Sequence, residues 1–217
     1  MSLAHRGVLF LDELPEFHRN VLEVLRQPLE DGHVTISRAA ATLDFPSQFM
    51  LVAAMNPCPC GYAGDPKREC RCSSQKIQAY RNKISGPLLD RIDIHIEVPP
   101  VRYHDLSGVA CGDASEAIRK RVATCRARQR ARFKALPRVT CNAAMGAREV
   151  QTFCALGTDA AELLKMAMNE LNFSARAYDR IVKVARTIAD MADSETIAVN
   201  HVSESIQYRS LDRMMWI

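Results

Sequence analysis

Two hydrophobic patterns divide the chain near residue 100. Before that point, short apolar runs alternate with turn residues and short helical stretches. After it, apolar positions recur at helical spacing. Gly7-Val8-Leu9-Phe10-Leu11 is apolar without alternation and runs straight into Asp12-Glu13. Such a run predicts a strand covered on both faces, as in a parallel sheet flanked by helices. Phe49 to Met55 predicts a second strand of that kind, ending at Asn56-Pro57. Between them, Phe17, Val21, Leu22, Leu25 and Leu29 mark an amphipathic helix over 16–30, closed by Asp31-Gly32 and kinked or shortened by Pro28. His33–Arg38 and Ala41–Phe45 switch to alternation around a small-residue centre, which predicts a β-hairpin over 33–46.

After a cysteine-containing loop, Ser73 or Ser74 caps a predicted helix over 75–84. Ser85-Gly86-Pro87 breaks it, a short helix follows over 88–90, and the alternation of 92–98 predicts a third strand. Pro99-Pro100 to Asp113 reads as a linker. The remaining predicted elements are helices over 114–133, 158–171, 174–191 and 199–209; the third carries Ala177, Ile181, Val184, Ala185 and Ile188 on one face. The expected architecture is therefore an α/β unit over 1–100 followed by an all-α unit over 101–217.

With 217 residues, 47% apolar and 25% charged, the composition is that of a globular protein. No apolar run approaches the ~18–20 residues that span a bilayer, and the start does not read as a signal peptide. A cytoplasmic protein without a membrane partner is expected. The eight cysteines are then read as reduced thiols or metal ligands, not disulfides. Net charge is +4, but the first 100 residues hold 11 Lys and Arg against 12 Asp and Glu, so the surplus falls in the second half. That is a pointer to a polyanionic partner.

The chemistry-bearing residues sit at the ends of the predicted strands. Open α/β sheets bind ligands beyond the carboxyl ends of their strands. Two adjacent acids there, Asp12 and Glu13, have the form of a Walker B motif: one holds Mg²⁺ and the other polarises the attacking water. Asn56 offers a neutral amide able to bond both a phosphate oxygen and that water. Arg91, between Asp90 and Asp93, is either a local ion pair or a guanidinium presented to phosphate, in its own or a neighbouring subunit. Arg176 stands in the first turn of an amphipathic helix, on the face opposite its apolar stripe.

Gly7–Glu13, Ala53–Pro57, Gly86–Asp93 and Ser174–Ala177 together resemble, in order and wording, the AAA+ ATPases of the magnesium-chelatase-like group, most closely its bacterial competence-protein branch. The resemblance implies a partial P-loop core with a presensor-1 β-hairpin, followed by a helical lid. It implies Asp12 as Mg²⁺ ligand, Glu13 as water activator and Asn56 as sensor 1. Arg91 becomes the trans arginine finger, Arg176 the sensor 2 residue that contacts nucleotide, and Arg38, near the hairpin tip, a contact to a nucleic-acid backbone. ATP and Mg²⁺ are the implied cofactors, a hexameric ring of this protein and DNA the implied partners. The implied activity is ATP-driven remodelling of DNA, of the branch-migration or helicase type. Two alternatives stand beside it: an ATPase subunit driving Mg²⁺ insertion into a porphyrin, and a non-catalytic zinc-stabilised interaction module. The sequence departs from the family in one respect. None of its nine glycines precedes a lysine, so the phosphate-cradling Gly-Lys-Ser/Thr loop is not among these residues. The chain is expected to continue toward the amino terminus in its natural form. As it stands it is expected to lack a middle strand and to bind ATP weakly or not at all.

Two further features carry their own chemistry. Cys58, Cys60, Cys70 and Cys72 form C-x-C-x₉-C-x-C, two pairs able to close a structural Zn²⁺ site, with reduced thiols and redox chemistry as the other readings. From Ile118 to Arg138 there are nine Lys and Arg and no acid, with Ile118, Val122 and Cys125 as a short apolar stripe. A solvated helix packed through that stripe and a phosphate-backbone contact are the two readings.

Overall fold

The computed structural model describes residues 1–38, 41–99 and 112–209. These fall into two compact units, one covering Met1–Ile92 and the other beginning at Asp93.

In the first unit, β1 (Val8–Leu11) pairs in parallel with β4 (Met50–Ala53), with Val8 opposite Met50 and Leu11 opposite Ala53. The pleat sends alternate side chains to opposite faces. Leu9 and Leu11 pack onto a core of Leu14, Leu22, Leu25, Ile84 and Leu88. Val8, Phe10, Met50 and Val52 form the other face, and Phe10 and Met50 are 59% and 64% exposed. The expectation of strands covered on both faces is thus met on one face only. Among the described residues, no layer packs on the second.

The helix expected over 16–30 is two short ones. Pro15 sits in a 3₁₀ turn over Leu14–Glu16, α1 (Arg19–Val24) follows, and α2 (Arg26–Asp31) begins after Leu25. Pro28 has no N–H to donate, so the ladder is broken there. Leu22 and Leu25 are buried, while Val21 and Val24 face outward. Gly32 ends α2 at φ 72° with its N–H on the Pro28 carbonyl at 3.0 Å. The chain then enters β2 (His33–Arg38), which pairs antiparallel with β3 (Ala41–Pro46), from His33 opposite Pro46 to Arg38 opposite Ala41. The predicted hairpin is present in that register. Its apolar positions Ile36, Leu43 and Phe45 are exposed, so it is held by backbone pairing and by cross-strand bonds such as Ser37 to Thr42 at 3.2 Å.

Helices α3 (Ser74–Arg81) and α4 (Gly86–Leu89) complete this unit. Ser73 caps α3, accepting from the Lys76 amide at 3.3 Å. The predicted third strand over 92–98 is extended backbone without a partner strand among the described residues. Ile96 and Val98 are 69% and 80% exposed, and the His95 amide donates to the Tyr208 carbonyl at 2.7 Å. Alternation marks a strand only where an edge is available to pair with it.

The second unit is helical: α5 (Ser115–Arg132), α6 (Ala147–Phe153), α7 (Thr158–Glu170), α8 (Ala175–Met191) and α9 (Val199–Gln207). Its core gathers Leu164, Ile181, Val182, Ala185, Ala189, Val202 and Ile206. Helix α8 is central because its stripe of small and β-branched residues lets α5, α6 and α9 approach, while α7 packs on α9; Ala185 and Ala189 are fully buried. Cys125 and Cys154 are buried here too. The expected stripe on α5 is corrected: Ile118 and Val122 are exposed, and the helix packs through Cys125, Gln129 and the following Phe133.

That packing is fixed by a buried polar cluster that the sequence did not reveal. Asp190 accepts from Arg132 at 2.7 Å, Asn142 at 2.8 Å and Arg186 at 3.2 Å. Arg186 in turn donates to the carbonyls of Ser194 and Glu195. Burial works to raise the Asp190 pKa, but Arg132, Asn142 and Arg186 outweigh it and hold the carboxyl below its ordinary range. Arg128, also on α5, pairs with Asp193. Part of the positive surplus of α5 is therefore neutralised within the unit.

Candidate functional site

The two acids leave β1 at a backbone junction. The Ala54 amide donates to the Leu11 carbonyl at 2.9 Å, and the Ala54 carbonyl accepts from the Leu14 amide at 2.9 Å. Asp12 and Glu13 are the two residues left over between those bonds, so they bulge from the carboxyl end of the strand pair. Glu13 takes φ 50°, a left-handed conformation that is unfavourable for a residue with a Cβ. Its amide donates to Asp12 Oδ1 at 2.8 Å, which fixes one carboxylate against the next residue. Both side chains are exposed. Asn56 emerges two residues beyond Ala54, at the same carboxyl edge, and is exposed as well. This edge is where the sequence placed the three residues. Their oxygen-rich, solvent-facing donor set fits a hard divalent cation such as Mg²⁺.

Tyr80, on α3, was not singled out by sequence reasoning. It is 5% exposed, and its phenol lies near the Asn56 backbone. Burial pushes its phenol pKa up, the Asn56 amide pulls the other way, and the charges of Glu16, Cys58 and Glu13 add to the rise. A buried tyrosine needs a partner for its hydroxyl. That requirement is the signal that could have pointed to it.

Arg91 follows α4 and is 8% exposed. Its Nη1 donates to the Pro87 carbonyl at 2.6 Å and its Nε to Glu30 Oε2 at 3.1 Å, with Nη2 on the same carboxylate. The flanking acids suggested by the sequence are not the partners these bonds use; Asp93 instead pairs with Arg180. Arg176 is the second residue of α8, exposed, in a turn capped by Ser174, which accepts from the Ala177 amide at 3.1 Å. Arg38 is the last residue of β2 by its backbone; its side chain lies outside the described residues.

The four clustered cysteines are brought together. Cys58 Sγ lies 3.4 Å from Cys60 Sγ and 3.6 Å from Cys70 Sγ, Cys60 and Cys70 are also 3.6 Å apart, and all four sulfurs lie within 4.8 Å of one another. Cys58 is fully buried, and the Ala63 amide donates to its sulfur at 3.3 Å. The Tyr62 amide, followed by the Cys58 thiol, draws the Cys60 pKa down to about 6. Gly61 and Gly64, both at φ 82°, let the backbone turn back toward the sulfurs.

Comparison with known proteins gives this geometry a family. Two family models described as magnesium chelatase, subunit ChlI, and its C-terminal part match residues 1–106 and 112–209. The chain belongs to the magnesium-chelatase-like AAA+ family. Within it, the chain is 45% identical to the competence protein ComM of Haemophilus influenzae and 42% identical to YifB of Salmonella typhimurium. Each alignment covers 99% of this chain and 41% of the relative, so the chain spans about two-fifths of the length of these proteins. The chloroplastic magnesium-chelatase subunit ChlI-1 of Arabidopsis thaliana is 24% identical over 106 residues, 49% of this chain and 20% of that protein. No helix among the described residues is long and apolar enough to cross a membrane.

Proposed function

We propose that this chain is the carboxyl-side part of a AAA+ ATPase that couples ATP hydrolysis to remodelling of DNA, acting as a ring in the cytoplasm. The observation that supports the hydrolytic reading is the shared carboxyl edge of β1 and β4, where Asp12, Glu13 and Asn56 emerge together. In this reading Asp12 holds Mg²⁺, which supplies charge neutralisation at the phosphates when bound. Glu13 takes up the proton of the attacking water, and the bulged backbone between Leu11 and Ala54 aims its carboxylate. Asn56 orients that water through its amide without adding charge. Arg91 reaches the phosphate of a neighbouring subunit, and Arg176 reaches the nucleotide from the helical unit. The cradle for the phosphates comes from the part of the longer relatives outside the shared segment. That part also covers the apolar face of Val8, Phe10, Met50 and Val52.

DNA as the substrate is favoured by the competence-protein relative and by α5, where Arg119, Lys120 and Arg130 face outward. Such a contact is independent of sequence and falls steeply with salt. Arg38 and the projecting hairpin supply a second contact. The test is ATP turnover by the full-length protein with branched DNA, set against porphyrin plus chelatase partner subunits. Stimulation by DNA, abolished by Glu13→Gln with nucleotide binding retained, is expected. Stimulation only by the porphyrin system rejects the DNA reading, and full turnover by Glu13→Gln rejects the role of Glu13.

A further inference from the structure

We propose that Cys58, Cys60, Cys70 and Cys72 bind one Zn²⁺ as a closed, four-thiolate structural site. A tetrahedral zinc with Zn–S bonds of about 2.3 Å has sulfurs about 3.8 Å apart along each edge. The Cys58, Cys60 and Cys70 sulfurs lie 3.4 to 3.6 Å apart, and the whole set falls within 4.8 Å. The sulfurs converge from two separate C-x-C turns on a common centre. A disulfide joins sulfurs at about 2.05 Å and needs only two of them. Here four approach one another without any pair bonded.

The surroundings are those of a metal knot. A backbone N–H reaches in: the Ala63 amide donates to Cys58 Sγ at 3.3 Å. Such a bond offsets part of the negative charge that four thiolates place on one ion. Gly61 at φ 82° turns the chain immediately after the second ligand, bringing the Ala63 amide back onto the Cys58 sulfur.

The loop also needs a staple. Between Cys60 and Cys70 its only large apolar group is Tyr62, which is itself 36% exposed and stacked against Arg68. The other contacts within it are local hydrogen bonds: Asp65 accepts from the Lys67 and Arg68 amides at 2.7 and 3.2 Å, and Arg68 donates to the Tyr62 hydroxyl at 2.7 Å. A segment with so little buried surface does not offset its ordering entropy by packing. Four thiolates on one ion do, because metal binding is then folding energy for the segment. Four protein ligands leave no open position, so the ion takes no part in a reaction. Its consequence is positional: Cys58 lies two residues after Asn56, and the knot pins the exit of β4.

This assignment is independent of the ATPase reading, and its test is metal analysis of the purified chain. Zinc at about one equivalent per chain is expected, against less than about 0.1 equivalent for a protein without a structural site. Replacement by Co²⁺ is expected to give the visible d–d bands and thiolate charge-transfer absorption of a tetrahedral cobalt site. The double variant Cys70→Ser/Cys72→Ser is expected to lose the zinc, while Cys141→Ser, in the helical unit, retains it. Zinc below a tenth of an equivalent without a tetrathiolate cobalt spectrum overturns the proposal. So does zinc that persists in the double variant. The wild-type measurements stand whether or not the double variant folds.

Discussion

Arg91 is held by Glu30: a guanidinium just after α4 is buried against a half-exposed carboxylate near the end of α2. The Pro87 carbonyl fixes its third edge. In this conformation the arginine is spoken for within its own subunit, so reaching a neighbour's phosphate means exchanging one anion for another. Glu30 is then the group against which the phosphate competes. Glu30→Gln keeps the hydrogen-bond geometry and removes the charge. Because Glu30 is partly solvated, the expected loss of stability is about 1–2 kcal/mol, well short of a fully buried broken pair. Arg91→Ala in the full-length protein is expected to abolish turnover while leaving nucleotide affinity within a few-fold. Mixing inactive Arg91→Ala and inactive Glu13→Gln subunits is expected to restore partial turnover, since mixed interfaces then include intact ones. No recovery on mixing counts against action across the interface.

Asp190 anchors the helical unit from 2% exposure, between Arg132 and Arg186. Its carboxyl is held below the ordinary range, so it contributes stability that is present above the unfolded value of about 3.9 and is lost as pH falls through the lower folded value. Asp190→Asn leaves two arginines with reduced compensation and is expected to cost about 3–5 kcal/mol. Urea unfolding followed at pH 7 and again below pH 4 checks both points, since the variant's disadvantage should narrow on the acid side. An equal loss at both pH values would show that the charge is not the cause.

Gly32 closes α2 in a left-handed conformation at φ 72°, and a Cβ there would meet Gln48 Cγ at 2.9 Å. The Gln48 side chain can swing aside, but the backbone conformation cannot be relieved without moving the start of β2. Gly32→Ala is expected to destabilise the first unit by about 1–2 kcal/mol. Thermal unfolding of the variant measures it, with a loss below the error of the method as the contrary result.

What the sequence disclosed was local. The apolar run into Asp12-Glu13, the alternation on either side of 39–40 and the capped stripe of α8 each reveal themselves within a few residues, and each element formed. The Cys set was legible for the same reason, since both pairs sit on one loop. The partners of Arg91 and Asp190 were not, because they come from 61 and up to 58 residues away in the chain. Nearest charges in sequence proved to be poor guides to nearest charges in space. The uncovered face of β1 and β4 marks the opposite limit. A continuous apolar run reports how a strand is solvated when its layers are complete, and among the described residues only one layer is present.

Tyr80 offers the most discriminating test of the shared strand edge. Tyr80 is buried on α3, and its phenol lies close enough to the Asn56 backbone for that amide to act on its pKa against the rise that burial causes. Tyr80→Phe keeps the ring and removes the buried hydroxyl beside Asn56, a change of about 1 kcal/mol in stability. If Asn56 orients the attacking water, a small displacement acts on the reaction and not on ATP binding. In the full-length protein, kcat is therefore expected to fall several-fold with KM for ATP nearly unchanged. A rise in KM at constant kcat would mean that Asn56 serves nucleotide binding instead, and no change in either would release Tyr80 from any role at the site.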